Sequence, residues 1–137
     1  MRKFELGLTV MILFACVAGC VAGCGSGEAR RVTAIQLGRS LNPDNTVASF
    51  TTVFAPTDTV YLSVLTAGVA PGTLRVRWMY AGQVIGEPEK QVNSRVDAVT
   101  EFQLQSPREF PPGDYTAEVL LNGLSAGTRT FRVEKPR

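Results

Sequence analysis

The residues able to do chemistry are few, and their spacing narrows them further. Cys16, Cys20 and Cys24 are the chain's 3 cysteines, four residues apart inside an apolar run, and histidine is absent from all 137 residues. Without imidazole there is no Ser-His or Cys-His pair and no route to most zinc or copper sites. Cysteines at this spacing would share one face of a helix, as in an iron–sulfur ligand run, but a cluster needs a polar cage in a folded scaffold. A hydrophobic leader supplies neither. Asp44 and Asp58 fall in turn sequences, where a carboxylate caps backbone N–H groups, and a calcium site would require several more oxygens nearby. Glu87 and Glu89 flank Pro88 and could in principle act as a glycosidase pair, although this spacing beside a proline reads as a solvated bend. Ser94, Ser106 and Ser125 have no base partner, and neither a Gly-x-Ser-x-Gly nor a Ser-x-x-Lys run occurs. The expectation is a protein that is not an enzyme, with no cofactor, no metal and no small-molecule substrate.

Charge sets a second limit. There are 14 Lys+Arg against 12 Asp+Glu, and removal of an N-terminal leader takes away Arg2, Lys3 and Glu5, leaving 12 against 11 and a net charge of +1. Such a balance excludes a strongly basic nucleic-acid binder and an acidic disordered tail.

The leader itself is informative. Arg2 and Lys3 precede an uncharged stretch from Leu6 to Cys24 that ends in small residues, the pattern of a secretory signal. Val17-Ala18-Gly19-Cys20 and Val21-Ala22-Gly23-Cys24 are identical tetrapeptides, and each resembles the lipobox of bacterial lipoproteins. Leu13-Phe14-Ala15-Cys16 fits poorly because Phe14 is bulky. The resemblance implies a signal peptide within residues 1–23, cleavage before Cys20 or Cys24, and acylation of the new N-terminal cysteine, leaving 118 or 114 residues, enough for one domain. The alternative is an uncleaved span, since 19 uncharged residues at about 1.5 Å each approach a bilayer core of about 30 Å; Gly19, Gly23 and Gly25 argue against it. Neither Val21 nor Gly25, the residues that would follow the lipidated cysteine, is the aspartate resembling an inner-membrane retention signal. The expected location is therefore the outer membrane, facing the periplasm. A short tether over residues 24–30 would hold the domain of residues 31–137 close to that membrane, which favours an envelope protein at or in the same bilayer as partner.

From Val32 onward the pattern is β. Segments 32–39, 47–54, 59–65, 73–80, 83–87, 99–105, 114–121 and 129–134 are rich in Val, Thr, Phe, Tyr and Leu and are separated by Gly, Pro, Asn or Asp. Alternation assigns faces: Val60, Leu62 and Val64 inward, then Leu74, Val76, Trp78 and Tyr80, then Phe102 and Leu104, then Tyr115, Ala117, Val119 and Leu121, then Phe131 and Val133. Such in/out alternation favours an antiparallel sandwich over a parallel sheet. Outward between them, Arg75, Arg77 and Met79 form a strip that either pairs with Glu101 or Glu118 or meets an anionic partner. Tyr61 and Leu65 are outward as well and, with Met79, would make an apolar patch.

Trp78 in the third or fourth strand and Tyr115 within Phe110-Pro111-Pro112-Gly113-Asp114-Tyr115 resemble the buried indole and the tyrosine corner of immunoglobulin-like and fibronectin-III-like domains. The resemblance implies an all-β, antiparallel two-sheet sandwich of seven or eight strands, in a form lacking the antibody disulfide. It implies little about function. A protein-binding or structural module is the first expectation, with Arg75, Arg77, Met79 and Tyr61 as the candidate surface. A carbohydrate-binding module for peptidoglycan or polysaccharide is the second. Asn42-Pro43-Asp44-Asn45-Thr46 matches a loop of chagasin-like protease inhibitors only at its start, and the other loops of that family are absent.

Overall fold

The computed structural model describes residues 28–136. Nine strands form in chain order: β1 (Arg31–Gly38), β2 (Val53–Phe54), β3 (Val60–Ala67), β4 (Gly72–Tyr80), β5 (Gln83–Gly86), β6 (Glu89–Val92), β7 (Ala98–Leu104), β8 (Gly113–Leu121) and β9 (Leu124–Val133). They build two packed sheets. One has the order β1-β3-β7; the other runs β2-β9-β8-β4-β5, with β6 also on β4. All pairings are antiparallel except β2, which lies parallel to the end of β9. The chain thus crosses from the first sheet to the second between β1 and β2, and the expected all-β sandwich with an immunoglobulin-like arrangement is what forms.

Alternation places the core where the two inner faces meet. Val60, Leu62 and Val64 of β3 are fully buried, as are Leu74 and Val76 of β4 and Ala117 and Val119 of β8. Aromatic rings fill the centre. Phe131 meets Phe54 and Trp78 edge-on at centroid distances of 5.4 and 6.1 Å and stacks on Tyr115 at 5.2 Å, geometries that favour aromatic pairs beyond their buried area. Tyr115 donates its hydroxyl to the Pro111 carbonyl at 2.5 Å, the backward bond that defines a tyrosine corner. Trp78 Nε1 is the one buried side-chain donor or acceptor left without a partner among the described residues.

The structure departs from the sequence expectations at three places. Of segment 47–54 only Val53 and Phe54 join a ladder. The preceding loop instead folds over the outside of the three-stranded sheet: Val47 N–H donates to Gln36 Oε1 at 3.1 Å, and Ser63 donates its hydroxyl to the Asn45 carbonyl. Strand β6 follows Pro88, which interrupts the edge without breaking it, because the Pro88 carbonyl accepts from Val76 N–H at 3.0 Å and an edge strand tolerates a missing N–H. Lastly, β9 begins at Leu124 and not near 129. Asn122 and Gly123 have φ of 52° and 83°, both positive as a two-residue type I′ hairpin turn requires.

Candidate functional site

The candidate surface Arg75, Arg77, Met79 and Tyr61 is not one surface. Arg75, Arg77 and Met79 do point outward from β4, but Tyr61 points outward from β3 in the other sheet. The apolar patch expected of Tyr61, Leu65 and Met79 is therefore divided between opposite faces of the sandwich, because the strands that carry them belong to different layers.

The two arginines are already engaged. Arg75 Nη2 meets Glu89 Oε2 at 2.7 Å; Arg77 Nε meets Glu87 Oε1 at 2.8 Å and its Nη1 meets Glu118 Oε1 at 3.1 Å. The Glu87 hydrogen bond, and after it the charges of Glu87 and Glu118, outweigh desolvation and hold the Arg77 guanidinium above its ordinary pKa. Glu118 is one of the two partners the alternation suggested. Glu101 instead takes Lys90 Nζ at 2.6 Å. Glu87 and Glu89, which sequence alone read as a solvated bend, complete this ladder of charges, so the strip is self-neutralised and offers little to an anion. The turn acids cap backbone as expected: Asp44 Oδ1 accepts Thr46 N–H at 3.0 Å and the Thr46 hydroxyl, which lower its pKa, and Asp58 Oδ2 accepts Ala55 N–H at 2.7 Å. No group of three or more His, Cys, Asp or Glu among the described residues is placed to hold a metal.

A different feature has the form of a binding site. Along β9 only the last residues are paired on the side away from β8: Arg132 N–H donates to the Thr52 carbonyl at 2.8 Å and Glu134 N–H to the Phe54 carbonyl at 2.9 Å. By the alternation of an antiparallel ladder, Thr128 and Thr130 direct their N–H groups to that same side, where no strand lies alongside them among the described residues. Next to this open edge runs a groove of about 380 Å³ between β1 and β9, lined by Ile35, Leu37, Phe50 and Arg129 among others. Phe50 is 66% exposed. Arg129 Nε donates to the Ile35 carbonyl at 3.3 Å, bridging the sheets at the groove, and has no carboxylate partner among the described residues. Gly127 makes the approach of β1 to β9 possible, since a Cβ there would stand 2.8 Å from Ile35 Cδ1. Sequence reasoning missed this site because it is assembled across strands far apart in the chain; the exposed Phe50 beside a run of threonines was the available signal.

Most other aromatic side chains pack: Phe54, Trp78, Phe102, Phe110, Tyr115 and Phe131 are buried and Tyr61 and Tyr80 are half-buried, so Phe50 is the one fully exposed aromatic among the described residues.

Where the chain enters the sandwich, sequence also missed a buried cation. Segment 24–30 reads as a tether, yet Glu28 and Arg30 are fastened to the body. The Glu28 carbonyl accepts Val69 N–H at 3.3 Å and Ala70 N–H at 3.2 Å. Arg30 is 5% exposed; its Nε donates to the Ala70 carbonyl at 2.8 Å, Nη1 to Thr66 Oγ1 at 2.9 Å, and Nη2 to the Gly68 carbonyl at 3.0 Å and to the Ser94 carbonyl. Cys20 and Cys24, the acylation sites that the sequence resemblance implies, lie outside the described residues.

No protein-family model matches this sequence, and no curated protein matches it significantly. Among solved structures, an immunoglobulin-like protein from Pseudomonas aeruginosa is similar with a TM-score of 0.54 and 17% identity, over 78% of this chain and 98% of that one. That likeness shows the fold. An alkylpurine DNA glycosylase from Pseudomonas fluorescens, bound to DNA containing an abasic-site analogue, gives a TM-score of 0.48 and 14% identity; the match takes in 77% of this chain and spans 30% of the glycosylase. The CARDB domain of a Pyrococcus furiosus protein, in complex with di-metal ions, gives 0.46 and 12% over 79% of this chain and 88% of that one.

Proposed function

We propose that this chain is a lipid-anchored module of the bacterial envelope, acylated at Cys20 or Cys24 and held at the outer membrane, that works without catalysis by binding an extended segment of another envelope protein. The anchor rests on the tandem lipobox. The binding mode rests on one observation: the open edge of β9 beside a groove carrying Phe50 and Arg129. An added strand would satisfy the free N–H groups of Thr128 and Thr130 and gain main-chain affinity, while side chains on alternate positions give specificity. An apolar side chain suits Phe50 and Leu37, and a carboxylate suits Arg129.

A photo-crosslinking amino acid at Thr130 in living cells tests this reading, with the same label at exposed Gln103 on the other sheet as control. A discrete adduct from Thr130, absent from Gln103 and lost in Thr128→Pro, is the expected result. Proline removes an N–H that the β8 ladder does not use, so folding, followed by thermal melting, should survive. Equal labelling from both positions, or an adduct indifferent to the proline, rules out capture at this edge.

A further inference from the structure

Three of the exposed large apolar side chains gather at the end of the sandwich where the chain enters. Val69 lies in the β3–β4 turn, Val96 in the β6–β7 loop and Leu124 at the start of β9, with exposures of 41%, 68% and 75%. The ladders bring them together: Thr66 pairs with Ala98, Gly72 with Val92, Leu74 with Leu121, and Leu121 with Leu124. Arg30 stiffens this end, because one guanidinium ties the carbonyls of Gly68 and Ala70 to that of Ser94 and so fixes the loops that carry Val69 and Val96. The charge here is positive. Arg30, Arg31 and Arg95 outnumber Glu28 and Asp97; Arg30 is buried on its carbonyl acceptors and Arg31 pairs with Glu28 at 3.1 Å, while Arg95 is exposed with no carboxylate partner among the described residues.

Glu28 follows Cys24 by four residues and Cys20 by eight, which at full extension span at most about 14 Å and about 29 Å. A bilayer holding the acyl chains is therefore the surface this end must meet. We infer that the Val69–Val96–Leu124 end of the sandwich docks on the lipid headgroups, its apolar side chains in the interface and the exposed Arg95 at the phosphates. The inference rests on the lipid-anchor reading. Apolar side chains with a cationic neighbour suit the outermost 5–10 Å, roughly, of an anionic leaflet, whose surface potential attracts an exposed arginine. The tether supplies the local concentration; the docked end sets orientation.

The test uses the acylated protein in a Cys24→Ser form, which keeps the first lipobox, reconstituted in vesicles of phosphatidylethanolamine and phosphatidylglycerol. Single cysteines at Val69, Val96 and Leu124, and at exposed Arg108 as a control at the opposite end, carry an environment-sensitive fluorophore. Blue-shifted emission, quenched by a nitroxide near the lipid headgroups, is expected at the first three positions and not at Arg108. Water-like emission at all four, or equal quenching at Arg108, with an acylated mass overturns the docking alone. A mass without acyl chains both in this form and in the unsubstituted protein removes the anchor, and the docking falls with it.

Discussion

At the residue scale, burial and hydrogen bonding at Tyr115 and Arg30 make the sharpest demands. Tyr115 is desolvated and lies beside Tyr80, and its pKa is pushed up to about 12. An unfolded tyrosine ionises near 10, so its burial stabilises the fold fully below about pH 10, and that contribution is lost as pH rises toward about 12. Melts across this window should show stability falling as pH rises. Tyr115→Phe should cost about 1 kcal/mol at neutral pH through the lost bond to Pro111 and should flatten the alkaline slope; an unchanged slope contradicts the assignment. Arg30→Ala leaves the carbonyls of Gly68, Ala70 and Ser94 without their donor, and denaturant unfolding should register a loss of roughly 3 kcal/mol. Arg30→Lys should recover only part, since an ammonium lacks the fixed fork that reaches several acceptors at once. Tyr115 and Trp78 were legible in sequence because local context marks them. Arg30 was not, because apart from Thr66 its acceptors are main-chain carbonyls up to 66 positions away, and carbonyls leave no trace in residue types.

At the element scale, what was legible followed from alternation. Strands β1, β3, β4, β7 and β8 lie within a residue or two of the expected ranges because each has one face in the core. Strand β6 escaped notice because Glu89–Val92 buries only Val92, so there is no apolar rhythm to read, and β2 because two residues are too few. At β9 the Asn122-Gly123 pair carried the hairpin signal, masked by the polar residues that follow it. Gly123→Ala, at φ 83°, should cost about 1 kcal/mol in thermal unfolding, since alanine resists the left-handed conformation. The arginine ladder behaves differently. Its pairs are partly exposed and screened by water, so Arg77→Ala should leave the thermal unfolding midpoint nearly unchanged. A large drop would mean that the outer face of β4 is covered by something the pairs do not represent.

At the scale of the whole molecule, the sandwich is bipolar. One end takes the tether and carries Val69, Val96 and Leu124; from Leu124 the open segment of β9 runs away from that end toward the groove at Phe50 and Arg129. An anchor at one end and a strand edge along the side would present a fixed, oriented edge to a neighbour in the same envelope. Fold was readable in the sequence because burial imposes a period, whereas the groove was not, because it arises only where β1, residues 50–52 and β9 meet. The resemblance to a lipobox rests on the sequence.

Lipid anchoring is read from the intact mass of the protein extracted from membranes. A chain beginning at Cys20 or Cys24 and carrying acyl chains is the predicted result, with acylation abolished in the Cys20→Ala/Cys24→Ala double variant and retained in at least one of the single variants. A mass that retains Met1, or acylation that persists in the double variant, contradicts the account.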